Sequence, residues 1–192
     1  MRKKNTSLVV LALVAVGFLF VVIILSGYRV VSEGEALVVK PHFWKGGTQV
    51  VVGGRVWAPS LFYRAHVYPL GEQFLPLQEG GRETRKVVRM LSKDGMPFSV
   101  GYHLTYRLDS MYLPRIEGMW GKDYANKFIV PLVERELRQQ TARRTATDMF
   151  RSREDFARDV RDTIREKMTP AGIGLVSFDV TAIRPDRWAM FH

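Results

Sequence analysis

Lys93 and Asp94, side by side and followed by Gly95, are the pair in this sequence that most resembles an acid/base dyad. To move protons, such a pair needs neighbours that desolvate it and shift its pKa values. The flanking residues point elsewhere. Lys86 to Leu91 is rich in β-branched residues. Beyond Gly95, Phe98, Val100, Tyr102, Leu104, Tyr106 and Leu108 alternate with Ser99, Gly101, His103, Thr105 and Arg107. Strict alternation marks a strand with one buried face. Lys93-Asp94-Gly95 therefore falls at a hairpin tip, where Asp-Gly supplies the positive φ angles of a tight turn. The pair is expected to be a bend facing water, not a catalytic centre.

Other reactive residue types are scattered. The chain has no cysteine, which removes disulfides, thiolate metal sites and cysteine nucleophiles. His42, His66, His103 and His192 share no helix face or short spacing, so no metal site is expected. Ser26, Ser60, Ser92, Ser99 and Ser177 lack a G-x-S-x-G setting, and no Ser–Lys arrangement stands out. No catalytic, metal or cofactor-binding residue is assigned, and the chain reads as a non-enzyme.

The net charge of +10 comes from 29 Lys/Arg against 19 Asp/Glu among 192 residues. Residues 122–168, the segment richest in arginine, hold 12 basic against 9 acidic side chains. This is the mixture of a solvated helix with paired charges, whereas a nucleic-acid face needs a stripe of one sign. No nucleic-acid partner is expected; a mild attraction to anionic lipid is.

Leu8 to Leu25 runs for 18 residues, through Gly17, without a polar side chain. As a helix it would be roughly 27 Å long, close to the thickness of a bilayer core. It exceeds the roughly 7–15 residues of a signal-peptide core, and no small-x-small site follows it, so an uncleaved anchor over residues 8–27 is expected. Arg2, Lys3 and Lys4 crowd the leading end, and only Arg29 and Lys40 follow within fifteen residues. The positive-inside rule then keeps residues 1–7 in the cytoplasm and the main domain outside it. Tyr28 and the nearby stretch Phe43-Trp44-Lys45 suit the headgroup level, with ordinary packing in a small sheet as the alternative for Phe43 and Trp44.

The remainder alternates short apolar runs with turn formers. Val30-Val31, Ala36 to Lys40, Thr48 to Val52, Arg55 to Ala58 and Leu61 to Val67 read as strands, broken at Glu33-Gly34, Lys45-Gly46-Gly47, Gly53-Gly54 and Pro59. Gln78 to Arg82 marks a break before the hairpin. Asp123 to Gln140 places Tyr124, Phe128, Ile129, Leu132, Val133 and Leu137 on one helical face, with Glu134, Arg135 and Arg138 opposite. Pro131 inside this pattern means either a kink or the start of the regular helix. Ser152 reads as the N-cap of a helix over Arg153 to Met168 with Phe156, Val160, Ile164 and Met168 in one stripe. Gly172-Ile173-Gly174 stops it, and Leu175 to Ile183 reads as a closing strand. Hairpin, two amphipathic helices and a strand make an α+β unit.

This order of elements resembles the SPFH, or band 7, superfamily of stomatins, prohibitins, flotillins and HflK/HflC proteins. The matching stretches are Val31 to Val38 after the apolar segment, Gly53 to Pro59, Ser92 to Phe98 leading to Tyr106-Arg107, Ile129 to Arg138 with Thr147-Asp148 and Arg153, and Gly172 to Ile183. The resemblance implies a membrane anchor, a small β-rich SPFH1 sub-domain over residues 28–85, an α+β SPFH2 sub-domain over 86–185, and a tail over 186–192. It implies a scaffold that oligomerises with SPFH subunits, as a homo- or hetero-oligomer, contacts membrane lipid and organises membrane proteins, a membrane AAA protease among them. Of its members' arrangements, the extracytoplasmic HflC/HflK and prohibitin type fits best. The family usually continues into a long C-terminal coiled coil; here the sequence ends where that helix would begin, so either this is a short member or the sequence stops before it. Glu134, Arg135, Arg138, Arg144 and Arg153, with Trp188 and Phe191, are the candidate subunit contacts, and the alternative for the charged residues is exposed i, i+4 pairs within one subunit. The competing reading is a monomeric, anchored lipid- or ligand-binding module.

Overall fold

A computed structural model describes residues 11–22, 27–43, 46–75 and 87–185. The chain divides into two compact units, Met1–Tyr68 and Pro69–His192.

In the first unit, residues 11–22 form a helix, α1. It is followed by β1 (Tyr28–Pro41), β2 (Gln49–Trp57) and β3 (Tyr63–Pro69), in the sheet order β2-β1-β3. Val31, Leu37, Val39 and Ala58 make its buried core, with Val56, Tyr63 and Ala65 packed against it. Glu33-Gly34 and Gly53-Gly54 are not turns between separate strands. β1 and β2 continue through both, and pairing shifts from Val31↔Gly54 to Ala36↔Val52. The extra residues on β1 form a bulge, which bends a strand without ending it.

That bend is large. The Ala58 amide donates to the Gly27 carbonyl at 2.7 Å, and the His42 amide donates to the Phe62 carbonyl at 2.9 Å. The five residues 58–62 reach at most about 18 Å even when extended. A straight run from Gly27 to His42 would cover roughly 50 Å. β1 must therefore curl until its two ends lie near the same short loop.

The second unit holds β4 (Gln73–Leu75), β5 (Val87–Leu91), β6 (Pro97–Leu108) and β7 (Ile173–Pro185), with α2 (Leu113–Met119), α3 (Val130–Ala142), α4 (Ala146–Arg151) and α5 (Arg153–Met168) between β6 and β7. β6 is the central strand. β5 pairs with Pro97 to Gly101 and β4 with Leu104 to Tyr106, end to end on one edge, while β7 covers the other edge from Phe98 to Leu108. The six alternating residues expected on the inner face of β6 are all buried, and so is the stripe Phe156, Val160, Ile164 and Met168 of α5. β4 pairs with β6, so the division between the units falls at Tyr68/Pro69 and not near residue 85. The break expected at Gln78 to Arg82 lies outside the described residues.

Two local details agree with expectation and one, the cap before α5, differs. The regular helix begins at Val130 with Pro131 in its first turn, preceded by a π-helical turn over Ala125–Ile129. Proline has no amide to continue the ladder, and the regular helix takes over from the π-helical turn at this point. Ser152 precedes α5 but makes no side-chain capping bond. The capping box lies one helix earlier: the Asp148 amide donates to Thr145 Oγ1, and Asp148 accepts from the Thr145 amide. The α5 C-terminus runs through the 3-10 turn Thr169–Ala171 to Gly172 in the left-handed region, from which β7 departs.

Candidate functional site

The Lys93-Asp94 bend is the first place to look for chemistry, and its partners are structural. Of the pair Asp94-Gly95, only Gly95 has a positive φ. Ser92 Oγ donates to Asp94 Oδ1, and the Met96 amide donates to Ser92 Oγ at 3.1 Å, closing the bend on itself. The Ala146 amide, at the start of α4, donates to Asp94 at 3.1 Å. The Lys93 amide donates to the Arg144 carbonyl at 2.8 Å. The hairpin tip is thus tied to the α3–α4 junction.

Hydrogen bonding, first from Ser92 and also from backbone amides, holds the Asp94 carboxyl below its ordinary value of 3.8. A depressed pKa contributes stability that is present above the unfolded-state value and lost as pH falls through the folded one. The tie is therefore expected to be intact near neutrality and to weaken below about pH 4. Hydrogen exchange at the Ala146 amide checks this: its protection relative to the intrinsic rate at the same pH should fall in acid, and in Asp94→Ala at neutral pH. An Ala146 amide equally protected in the variant would contradict it.

The cations read as candidate subunit contacts are engaged within the chain. Arg138 pairs with Glu134 at 3.3 Å across one helical turn, and Arg135 reaches Glu136 at 3.2 Å. Arg144 pairs with Asp159, donates to Gln140 and lies 5.5 Å over the Phe156 ring. Arg153 donates to the Val180 carbonyl. Arg135 and Arg138 keep more than half of their side-chain surface exposed, whereas Arg144 is largely covered. Trp188 and Phe191 lie outside the described residues.

Two buried polar clusters escaped the sequence reading. Glu136 on α3 is 1% exposed. Its carboxylate receives Lys167 Nζ from the end of α5 at 2.6 Å. Position 136 follows Ile129, Leu132 and Val133 at helical spacing, which placed it on the buried face; its partner, 31 residues away, left no local signal. In the second cluster, Tyr124 Oη donates to Gln73 Oε1 at 2.6 Å, and the Tyr106 and Tyr124 hydroxyls meet at 3.2 Å. Burial pushes both hydroxyls above the ordinary tyrosine range. These groups pin β4 and the π-helical turn to β6. They are fasteners, and neither is placed to exchange protons near neutrality.

The membrane-related residues fall in the first unit. Gly17 lies in α1, whereas Leu8, Leu25 and Trp44 are outside the described residues. Residues 11–22 of the expected 8–27 span are helical, and residues 8–10 and 23–26 lie outside the described residues. Among the described residues no helix is long and apolar enough to cross a membrane. Tyr28 is 65% and Phe43 75% exposed, and two residues not expected from the sequence join them: Trp57 at 49% and Leu61 at 56%. Tyr28 is the register partner of Trp57. Phe43 follows His42, which is bonded to Phe62. The curl of β1 therefore gathers exposed aromatic and aliphatic groups from both of its ends around the loop 58–62. Gly27 is needed at this closure, because a Cβ there would come within 2.6 Å of Trp57 Nε1.

Among the described residues, no group of three or more His, Asp or Glu side chains is placed to hold a metal ion. Several exposed charges on α3 and α5 pair within the chain, and the buried polar groups Glu136, Tyr106 and Tyr124 fasten elements together. The described residues form an α+β fold in two units. A family model described as SPFH domain / Band 7 family matches residues 29–190. The chain belongs to the SPFH/band 7 family. Members of the family are membrane-associated, generally non-enzymatic scaffolds that oligomerise with SPFH subunits. No curated protein matches the sequence.

Proposed function

We propose that this chain is a single-pass scaffold subunit. In this reading residues 8–27 anchor it with the N-terminus in the cytoplasm, and the SPFH domain stands on the other side, assembled with further SPFH subunits. The observation that carries the reading is the position of the SPFH match, which begins at residue 29, directly after the 18-residue apolar run. The exposed cluster of Tyr28, Trp57, Leu61 and Phe43 supports it. Aromatic side chains with one apolar and one polar end suit the headgroup level, and here they adjoin the point where the chain leaves the apolar run. Trp44 adds to this belt in the proposal.

The assembly organises membrane proteins, and a membrane AAA protease is the partner proposed on the family resemblance. Subunit contacts in this reading use the exposed guanidinium groups of Arg135 and Arg138 with Glu134, Arg144 and Arg153 as their supports, together with Trp188 and Phe191. Each exposed pair is weak alone, about 0–1 kcal/mol, so assembly needs many of them and apolar burial besides.

Alkaline carbonate extraction of membranes tests the anchor. The full chain is expected to stay in the pellet, as an integral protein does. Quantitative release into the supernatant would reduce the attachment to surface adsorption and remove the anchor from the account.

A further inference from the structure

Charge in the first unit is segregated by the curl of β1. Among its described residues the Lys and Arg side chains are Arg29, Lys40, Arg55 and Arg64, and the carboxylates are Glu33 and Glu35. All four cations are exposed. Each lies within three residues of the rim formed by Tyr28, Phe43, Trp57 and the loop 58–62, about 10 Å along the chain. The carboxylates sit instead at the bulge, with Glu33 five residues beyond Tyr28 and Glu35 eight before Phe43. Those separations are about 17 and 26 Å of strand, well beyond the Debye length of about 8 Å at physiological salt. Bringing both ends of β1 to one loop thus collects the cations and leaves the carboxylates at the far side of the bend.

Pairing also sets these cations apart. On α5, Arg158 pairs with Asp155 and Arg165 with Asp162. Among the described residues none of Arg29, Lys40, Arg55 and Arg64 is in an ion pair. Strand register puts one of them inside the apolar cluster. Tyr28 is opposite Trp57 and Val30 is opposite Arg55, so the four side chains share one face of the β1–β2 ladder. Val30 is 78% exposed. Two aromatic rings, an aliphatic group and an unpaired guanidinium on one face suit the boundary between acyl chains and phosphate headgroups.

We infer that this rim docks on an anionic phospholipid surface, with Tyr28, Trp57 and Leu61 in the interface and the four cations on lipid phosphates and acidic headgroups. The exposed aliphatic groups beside the cations favour a bilayer, which offers acyl chains as well as phosphate. The inference rests on the reading of the rim as membrane-facing and adds the class of lipid it selects.

The test uses the full chain in vesicles of phosphatidylcholine, alone or with about 30 mol% phosphatidylglycerol. Acrylamide quenching is followed on the fluorescence that Trp57→Phe removes. Trp57 is expected to be open to quencher in neutral vesicles, shielded in anionic ones, and open again at high salt. Arg29→Gln combined with Arg55→Gln should lower the ratio of shielded to open Trp57 about ten-fold or more. Arg158→Gln combined with Arg165→Gln removes the same charge from α5 and should leave the ratio unchanged. Equal quenching in both kinds of vesicle means that the rim meets neutral lipid or protein, and overturns the inference. Equal losses in the two double variants mean that only net charge matters, and overturn it as well. Carbonate extraction of the same vesicles separates this inference from the anchor. A chain that carbonate releases, yet whose Trp57 is shielded by anionic lipid, would remove the anchor and leave the docking surface. A retained chain without lipid dependence would do the reverse.

Discussion

Gly172→Ala is expected to destabilise the second unit by about 2–4 kcal/mol. Two independent costs combine at this position. Its φ of 77° lies in the left-handed region, where an L side chain costs about 1–2 kcal/mol. A Cβ there would also sit 2.1 Å from the Tyr112 Cβ, so α2 or β7 must shift, an overpacking cost of about 1–3 kcal/mol. The site allows little relaxation. The Gly172 carbonyl accepts from the Asp109 amide at 3.0 Å and its amide donates to the Thr169 carbonyl at 3.0 Å, so the residue joins the end of α5, the start of β7 and the exit from β6. Urea unfolding of the full chain in detergent, followed by aromatic fluorescence, measures the change. A loss below about 1 kcal/mol would show that Tyr112 moves aside freely and that this junction is soft.

Lys167→Met is the second large effect, about 2–4 kcal/mol of lost stability. It strands the Glu136 carboxylate in the α3–α5 interface, where its side chain is 2% exposed. Breaking a buried pair on one side generally costs about 3–5 kcal/mol. The figure is lowered here because the Lys167 side chain is 37% exposed and Arg135 still reaches Glu136 at 3.2 Å. The decisive comparison is the double variant Glu136→Leu with Lys167→Met. Replacing both charges by apolar groups of similar size removes the desolvation cost along with the attraction, so the double variant should recover most of the stability that the single one loses. A double variant as unstable as the lysine variant would mean that the packing of the lysine stem, not the charge pair, holds the helices.

These two positions also separate what the sequence exposes from what it hides. Gly172 was legible as a helix stop because glycine and the flanking apolar stripes mark the boundary locally. The inner face of β6 and the stripe of α5 were legible for the same reason, since periodicity is a property of neighbouring residues. Glu136 was not: a carboxylate on a helix reads as solvated, and only the arrival of Lys167 from another element makes it a core residue. The hairpin at Lys93-Asp94 was legible as a bend, but its tie to Ala146 and Arg144 comes from a junction more than fifty residues away. α4 escaped because a six-residue helix carries too little periodicity, although Thr145 and Asp148 at capping-box spacing announced its start. The first unit was misread for the opposite reason. Gly34, Gly53 and Gly54 are locally turn-like, and only the pairing of β1 with β2 across them converts two expected turns into one bulge.

That misreading has a functional consequence. Five separate short strands would scatter Tyr28, Trp57, Leu61 and Phe43, whereas one curled strand gathers them. In the proposed reading the site is a surface assembled by the curvature of β1.

The most direct test of the account is the size and composition of the complex extracted from native membranes in mild detergent. It predicts a large, symmetric particle of SPFH subunits that persists on dilution. A single chain in its micelle, of one size at every concentration, would contradict the scaffold reading and favour a monomeric membrane-tethered binding module.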